Sequence, residues 1–143
     1  MILQPASITS ATLALTKKGH SGSTLVANRA AGIAFTLPAA SGSGAKFRII
    51  VGTTITSNNL VISAASASDT MTGLALMCQD AADTIVGFET AADSDTITMN
   101  GSTKGGLKGD IIELEDIIAN LWSVRITGSA TGTEATMFSA AVS

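Results

Sequence analysis

The chain has little of the material from which enzymes and secreted scaffolds are usually built. Its 143 residues include one cysteine, no tyrosine, one tryptophan and two prolines, and aromatic residues make up only 3%. A single cysteine excludes an intrachain disulfide, and therefore a small secreted scaffold held together by such bonds. Base stacking on single-stranded nucleic acid and sugar binding on aromatic platforms both need side chains that this sequence scarcely has.

Charge is scarce as well, at 13% of residues against roughly 25% in an average soluble domain. The formal net charge is −3, and the only adjacent basic pair is Lys17-Lys18, which we interpret as a solvated strand end. We therefore predict no nucleic-acid partner, because binding phosphates needs clustered Lys and Arg. A surface so poor in charge repels copies of itself weakly, and we expect other chains to cover much of it.

Long apolar runs are missing too. No uninterrupted apolar stretch reaches the roughly 18 residues that a membrane-spanning helix requires. The first residues, Met1-Ile2-Leu3-Gln4-Pro5, have neither the basic start nor the apolar core of a secretory signal. We expect synthesis in a cytoplasm and no membrane partner.

Short β-type runs, by contrast, recur about every 10 to 13 residues, separated by Gly, Ser, Asn and Asp clusters. This spacing predicts an all-β fold: an antiparallel β-sandwich or barrel of the jelly-roll kind. The one helical turn that the pattern allows is at Asp116-Ile117-Ile118-Ala119. We expect a single β domain over residues 1–143, in which residues 1–16 form an N-terminal arm or an edge strand at a subunit contact.

Two hairpins show the clearest alternation of apolar and polar residues. Residues 33–37 alternate up to Pro38, and residues 47–51 resume the pattern, which predicts a first hairpin. Residues 110–114 and 121–127 predict a second hairpin with a turn near Ala119-Asn120. In this second hairpin Trp122 is expected on the core face, while Glu113 and Glu115 lie where Arg125 could pair with them on the outer face.

Residues with chemical potential are few and isolated. His20, the only histidine, lies in a Gly/Ser-rich segment with no zinc-ligand spacing around it. No phosphate-binding glycine loop and no Gly-x-Ser-x-Gly elbow is visible. We predict no catalytic residues, no cofactor and no metal site, and a buried, inert thiol at Cys78. For Asp93 and Asp95, two interpretations stay open: they cap or solvate their loop, or they contribute to a calcium site.

A second set of carboxylates lies near the predicted second hairpin: Asp110, Glu113, Glu115 and Asp116. Acid–base catalysis would need one of them to be desolvated in a cleft. The sequence offers no partner group that would complete such a site.

Several segments resemble a family of tailed-bacteriophage virion proteins, whose members with an assigned role are capsid decoration, or cement, proteins. The resemblance spans most of the chain. It is carried by the segments KGHSG (18–22), NRAAG (28–32), FTLPAASGSGAKF (35–47), SDTMTG (68–73), GDIIEL (109–114) and WSV (122–124). It implies a β-rich subunit, commonly a trimer, on the outside of an icosahedral head and in contact with the major capsid protein.

The low charge and the resemblance together favour a non-enzymatic, oligomeric head decoration protein that stabilises the capsid from its outer surface. The alternative is a tail or fibre component that binds a host receptor. Ile50 is apolar although it lies on the face opposite the predicted core, so a second sheet or a neighbouring subunit should cover it. The candidate subunit or capsid contacts are Ile2, Leu3, Ile8 and Ile50.

Overall fold

Two packed β-sheets form the protein in the computed structural model, which describes residues 4–143. One helix, α1, lies in this part of the chain, together with twelve strands. The elements are β1 (Ala6–Ile8), β2 (Thr12–Ala14), α1 (Lys17–His20), β3 (Thr24–Ala27), β4 (Ile33–Thr36), β5 (Lys46–Val51), β6 (Leu60–Ser63), β7 (Thr70–Gln79), β8 (Ile85–Glu89), β9 (Thr96–Met99), β10 (Ile111–Ile118), β11 (Leu121–Ala130) and β12 (Phe138–Ser139).

The predicted all-β sandwich is confirmed. A seven-stranded sheet has the order β1-β3-β5-β10-β11-β7-β8, and a five-stranded sheet has the order β12-β9-β6-β4-β2. Pairing is mixed rather than purely antiparallel: β7 and β11 run parallel over ten residue pairs, whereas β10 and β11 are antiparallel. Apolar residues from both sheets meet in one core, in which the rings of Phe47 and Trp122 lie 5.7 Å apart.

The chain alternates between the two sheets from β1 to β7. As a result β1, β3 and β5 become parallel neighbours in one sheet, and β2, β4 and β6 in the other. The predicted first hairpin is therefore wrong, because β4 and β5 belong to different sheets. Their alternating residues do bury one face each, with Phe35 and Phe47 both in the core. The alternation identified the buried face, but it does not say which sheet a strand joins.

The second hairpin is confirmed. In the antiparallel pair of β10 and β11, Leu114 lies opposite Val124 and Glu113 opposite Arg125. The turn contains Asn120, whose φ of 64° is a left-handed conformation that asparagine tolerates better than most residues. Trp122 is fully buried, as expected from its face of the strand.

The predicted helical turn is displaced. Asp116, Ile117 and Ile118 continue β10, with an irregularity in register between Asp116 and Ile118. The helical turn is instead α1, where Thr16 is the N-cap and its side-chain oxygen accepts a hydrogen bond from the amide of Gly19. A threonine at this position satisfies an amide that the helix itself leaves unpaired, and its role is visible only once the helix is placed.

The prediction for Cys78 is wrong. It lies in β7, whose alternation turns Ala75 and Met77 into the core and leaves Leu76 and Cys78 exposed on the other face. An apolar run in a strand that is covered on one side places only every second residue inside.

Among the helices of residues 4–143, none is long and apolar enough to cross a membrane.

Candidate interaction surface

The outer face of the seven-stranded sheet carries an apolar row in its central strands. The five-stranded sheet packs on the other face, so residues that point outward from β3, β5, β10, β11 and β7 are not covered by it. In register, one residue from each of these strands lines up across the sheet. We call this set the outer row: Val26, Ile50, Ile111, Thr127 and Leu76.

Ile50, a predicted contact, lies at the centre of the apolar part of the outer row. Val26 flanks it on one side and Ile111 on the other, and all three side chains are only partly buried. Leu76, at the end of the row, is 43% exposed. The second sheet cannot cover Ile50, because it packs on the opposite face of the seven-stranded sheet. That a neighbouring chain covers Ile50 stays a prediction.

The other predicted contacts fall near the start of the chain. Ile8 ends the edge strand β1 and packs, partly buried, against the core. Its carbonyl accepts a hydrogen bond of 2.9 Å from the amide of Asn28, and residues 6–8 form an edge strand of the seven-stranded sheet. That residues 1–16 lie at a subunit contact stays a prediction. Ile2 and Leu3 lie outside the described residues.

Charged side chains lie beside the outer row. Arg48, Glu113 and Arg125 are in register on β5, β10 and β11. Each lies two residues along its strand from a member of the outer row. Together with Lys46 and Glu115 they line a shallow groove of about 470 Å³. On this face, the ion pair found among the described residues is Lys46–Glu115 at 3.8 Å. The expected register of Glu113 and Arg125 is thus present, but no basic nitrogen lies within 4.0 Å of the Glu113 carboxylate in this part of the chain.

The outer face of the five-stranded sheet is chemically different. Its corresponding row across β2, β4, β6 and β9 consists of Thr12, Ala34, Val61 and Thr98. These side chains are smaller and uncharged. The two outer faces of the sandwich are therefore unequal, and the seven-stranded sheet presents the larger apolar and charged groups.

The second set of carboxylates is split by the fold. Glu113 points to the outer face, whereas Asp116 is completely buried. Asp116 Oδ1 accepts hydrogen bonds from the amides of Ser41 (2.9 Å) and Gly42 (2.7 Å). Its Oδ2 accepts from the amide (3.1 Å) and hydroxyl (2.6 Å) of Ser43 and from Lys17 Nζ (2.7 Å). Burial by itself would raise the pKa of Asp116, but the hydrogen bonds from Lys17, Ser43 and Gly42 outweigh it and hold this pKa far below its usual value.

Asp110 is a second buried carboxylate with backbone partners. Its Oδ2 accepts from the amides of Gly106 (2.8 Å) and Leu107 (3.1 Å), and its Oδ1 from the amide of Ser129 (2.9 Å). Burial raises the pKa of Asp110, and these three amides only partly offset that effect. Both aspartates thus tie loops to the sheet.

Asp95 anchors the C-terminal segment. It is buried next to β9, where its Oδ1 accepts from the amide of Ala141 (2.8 Å) and from Thr96 Oγ1 (2.7 Å). The amide of Val142 completes the contact at 3.2 Å. Burial works to raise the pKa of Asp95, but the hydrogen bonds from Ala141, Thr96 and Val142 lower it overall. Because amide hydrogens point at this carboxylate, Asp95 acts as an anchor for the loop, whereas Asp93 is exposed in the same loop.

Across residues 4–143, no three or more His, Cys, Asp or Glu side chains are grouped to hold a metal ion.

Replacing Asp95 with alanine is expected to release the C-terminal segment. Three donors lose their acceptor, and the free energy of unfolding should fall by about 1 to 3 kcal/mol. Carboxypeptidase digestion followed by mass spectrometry should show faster loss of the last residues. Asp93→Ala is the matched control, because Asp93 is exposed in the same loop. Equal digestion of both variants would contradict the anchoring role.

Sequence reasoning named Ile50 but missed its neighbours Val26, Ile111 and Leu76. The signal was present in residues 111–112, where two isoleucines in succession must point to opposite faces of a strand. It also missed the anchoring aspartates. Asp116 is partnered by a Ser-Gly-Ser segment 73 to 75 residues earlier in the chain, a distance over which no local pattern operates.

Comparison with protein-family models, with curated proteins and with solved structures found no match to this chain. The chain's own surface, and its motifs that resemble those of phage decoration proteins, are therefore the features that bear on its function. The unequal outer faces of the sandwich are the strongest structural observation that bears on it.

Proposed function

We propose that the protein is a non-enzymatic virion structural protein, an oligomeric head decoration (cement) protein that binds the outer surface of a phage capsid and stabilises it. The oligomer is a trimer and its partner is the major capsid protein, as the resemblance of its motifs implies. The protein is made in the host cytoplasm and resides on the outside of the virion.

The outer row carries this proposal. Ile50 and Ile111 lie side by side at the centre of a sheet face, where a freely diffusing monomer would gain from polar residues. Burying apolar surface contributes roughly 25 cal/mol per Å², so a partner seated on this face gains from each of these side chains. The charged groups of the groove border the row, and they would fix orientation rather than supply most of the affinity.

In this arrangement the protein stabilises the capsid through the total area of its contacts. A stable interface buries roughly 1,200 to 2,000 Å² in total, and a trimer multiplies the contacts that each copy makes with neighbouring capsid subunits. The face of the five-stranded sheet, with its small neutral side chains, would point to solvent. No bond is made or broken, and the work of the protein is to raise the cost of separating capsid subunits.

Replacing Ile50 with lysine tests the surface directly. A charge at the centre of the apolar row should lower occupancy on purified heads that lack the protein by at least about tenfold. Fold stability should change little, because Ile50 points away from the core. Ala34→Lys, at the centre of the other outer face, is the matched control and should bind like the wild type. Equal occupancy of the two variants would contradict the assignment of the face.

A tail or fibre component that binds a host receptor is the alternative. Electron microscopy of virions labelled on this protein separates the two. Label distributed over the head supports decoration, and label confined to the tail supports receptor binding.

A further inference from the structure

Strand β8 forms one edge of the seven-stranded sheet, and within the described residues its far side has no partner strand. The edge strands β1, β2 and β12 are only two or three residues long, and Pro5 immediately precedes β1. β8 has five residues, IVGFE, without a proline or lysine. Proteins use short strands, prolines and lysines to keep sheet edges from pairing, so β8 is the least protected edge of this fold.

The register of β8 on β7 shows which of its backbone groups are free. The amide of Gln79 donates to the carbonyl of Thr84 (2.8 Å), and the amide of Thr90 donates to the carbonyl of Gly73 (3.1 Å). In an antiparallel ladder every second residue faces the partner strand, so Val86 and Phe88 also bond to β7. The N–H and C=O groups of the alternate residues therefore point to the open edge. Those residues are Ile85, Gly87 and Glu89.

The side chains along this edge are apolar and partly uncovered. Ile85 is 65% exposed, the highest value among the large hydrophobic side chains at the surface of residues 4–143. Leu76, opposite Gly87 on β7, is 43% exposed. On the inner face Val86 and Phe88 pack against the core and stay only partly buried. Both faces of the edge therefore have apolar surface left to cover.

We propose that β8 is a docking edge for a second copy of this chain, with the two β8 strands antiparallel about a two-fold axis at Gly87. In this register Gly87 lies opposite Gly87 of the second copy, and Ile85 lies opposite Glu89 of the second copy. Each of these pairs exchanges two hydrogen bonds, so all the open N–H and C=O groups of the edge are satisfied. The two seven-stranded sheets become one continuous sheet.

The occupant is a second copy because the strand is complementary to itself. Its open residues are spaced symmetrically about Gly87, and on the inner face Val86 meets Phe88 of the second copy. A β-branched residue opposite an aromatic one is a favourable cross-strand pair. The single charge of the strand, Glu89, lies opposite an isoleucine, so no like charges face each other. This contact is separate from the outer row and goes beyond the proposed function, since a two-fold contact joins copies that belong to two different trimers.

Hydrogen exchange and sedimentation on the full chain test the proposal together. With rising concentration the wild-type protein should double in mass, and the amides of Ile85, Gly87 and Glu89 should exchange at least about tenfold more slowly. The amides of Val86 and Phe88 are bonded to β7 and should be protected at every concentration.

Two variants should abolish the doubling of mass. Gly87→Pro removes an N–H that points to the open edge and leaves the bonds to β7 intact, and Ile85→Lys puts a charge on the edge. The matched controls are Gly87→Ala, which keeps the N–H, and Ile118→Lys, which alters an isoleucine that is 57% exposed away from this edge. Both controls should still associate.

The proposal is overturned if the three amides exchange at the same rate at all concentrations, or if Ile118→Lys weakens association as much as Ile85→Lys. If Gly87→Pro does not fold, the association of Ile85→Lys and the exchange pattern of the wild type decide whether the β8 contact exists. Head binding is measured separately with Ile50→Lys. Loss of the β8 contact with normal head occupancy would therefore leave the proposed function standing, and the reverse result would leave this contact standing.

Discussion

Replacing Asp116 with alanine is expected to lower the free energy of unfolding by about 3 kcal/mol. The buried carboxylate accepts three backbone amides and the Ser43 hydroxyl, and it balances the charge of Lys17. Alanine leaves these donors without an acceptor and frees the Ser41–Ser43 segment from the end of β10. Equilibrium denaturation in urea measures the change. Glu113→Ala, on the exposed face of the same strand, is the control and should cost less than about 0.5 kcal/mol.

The same carboxylate gives a pH signature. Its pKa is lower in the folded protein than the roughly 3.9 of an unfolded chain, so its stabilisation is fully present above the unfolded pKa and is lost as the pH falls through the folded pKa. The difference in unfolding free energy between the wild type and Asp116→Asn should therefore narrow below about pH 4. A difference that stays constant down to pH 2 would rule out the charged, hydrogen-bonded state of Asp116.

Replacing Gly73 with alanine should also cost about 3 kcal/mol or more. Gly73 lies in β7 opposite Val124 of β11, and its φ is 150°. A Cβ atom there would lie 1.8 Å from the carbonyl oxygen of Val124, which no side-chain movement can relieve. The ladder between β7 and β11 would have to open. Thermal or urea denaturation measures the loss.

Gly87 provides the matched control for Gly73, since it lies in the neighbouring strand β8 of the same sheet. A Cβ atom at Gly87 would lie 3.7 Å from Leu76 Cδ2, an ordinary contact. Gly87→Ala should therefore change the free energy of unfolding by less than about 1 kcal/mol. Equal losses at the two glycines would mean that the close approach of β7 and β11 is not what requires glycine at position 73.

The sequence predicted the fold class and the hairpin of β10 and β11, but not the order of the strands in the two sheets. The pair β10 and β11 was accessible because its strands are adjacent in sequence and joined by a turn near Asn120. The pair β7 and β11 was not accessible, because it joins segments about fifty residues apart, as in the pairing of Leu121 with Thr70. Parallel pairing between distant segments leaves no local signature, since each strand shows only which of its faces is apolar.

The candidate surface was predictable to the extent that one strand reveals both of its faces. Ile50 interrupts the outward-facing series of Lys46 and Arg48, and this made it a candidate contact. Whether Val26 and Leu76 share its face depends on the register between strands, which only the folded chain provides. The free edge at β8 depends in the same way on sheet order, because nothing in IVGFE distinguishes an edge strand from a central one.

The order of strands also bears on how the protein is made. β10 and β11 lie between β5 and β7, so the centre of the larger sheet is filled by segments that leave the ribosome late. Until they emerge, the segments β1-β3-β5 and β7-β8 have no shared hydrogen bonds, and their inner edges stay open. Such a nascent chain can neither close its core nor hide its strands. Completion of the fold therefore waits for β10 and β11, and chaperone binding during synthesis would protect the gap that these two strands later fill.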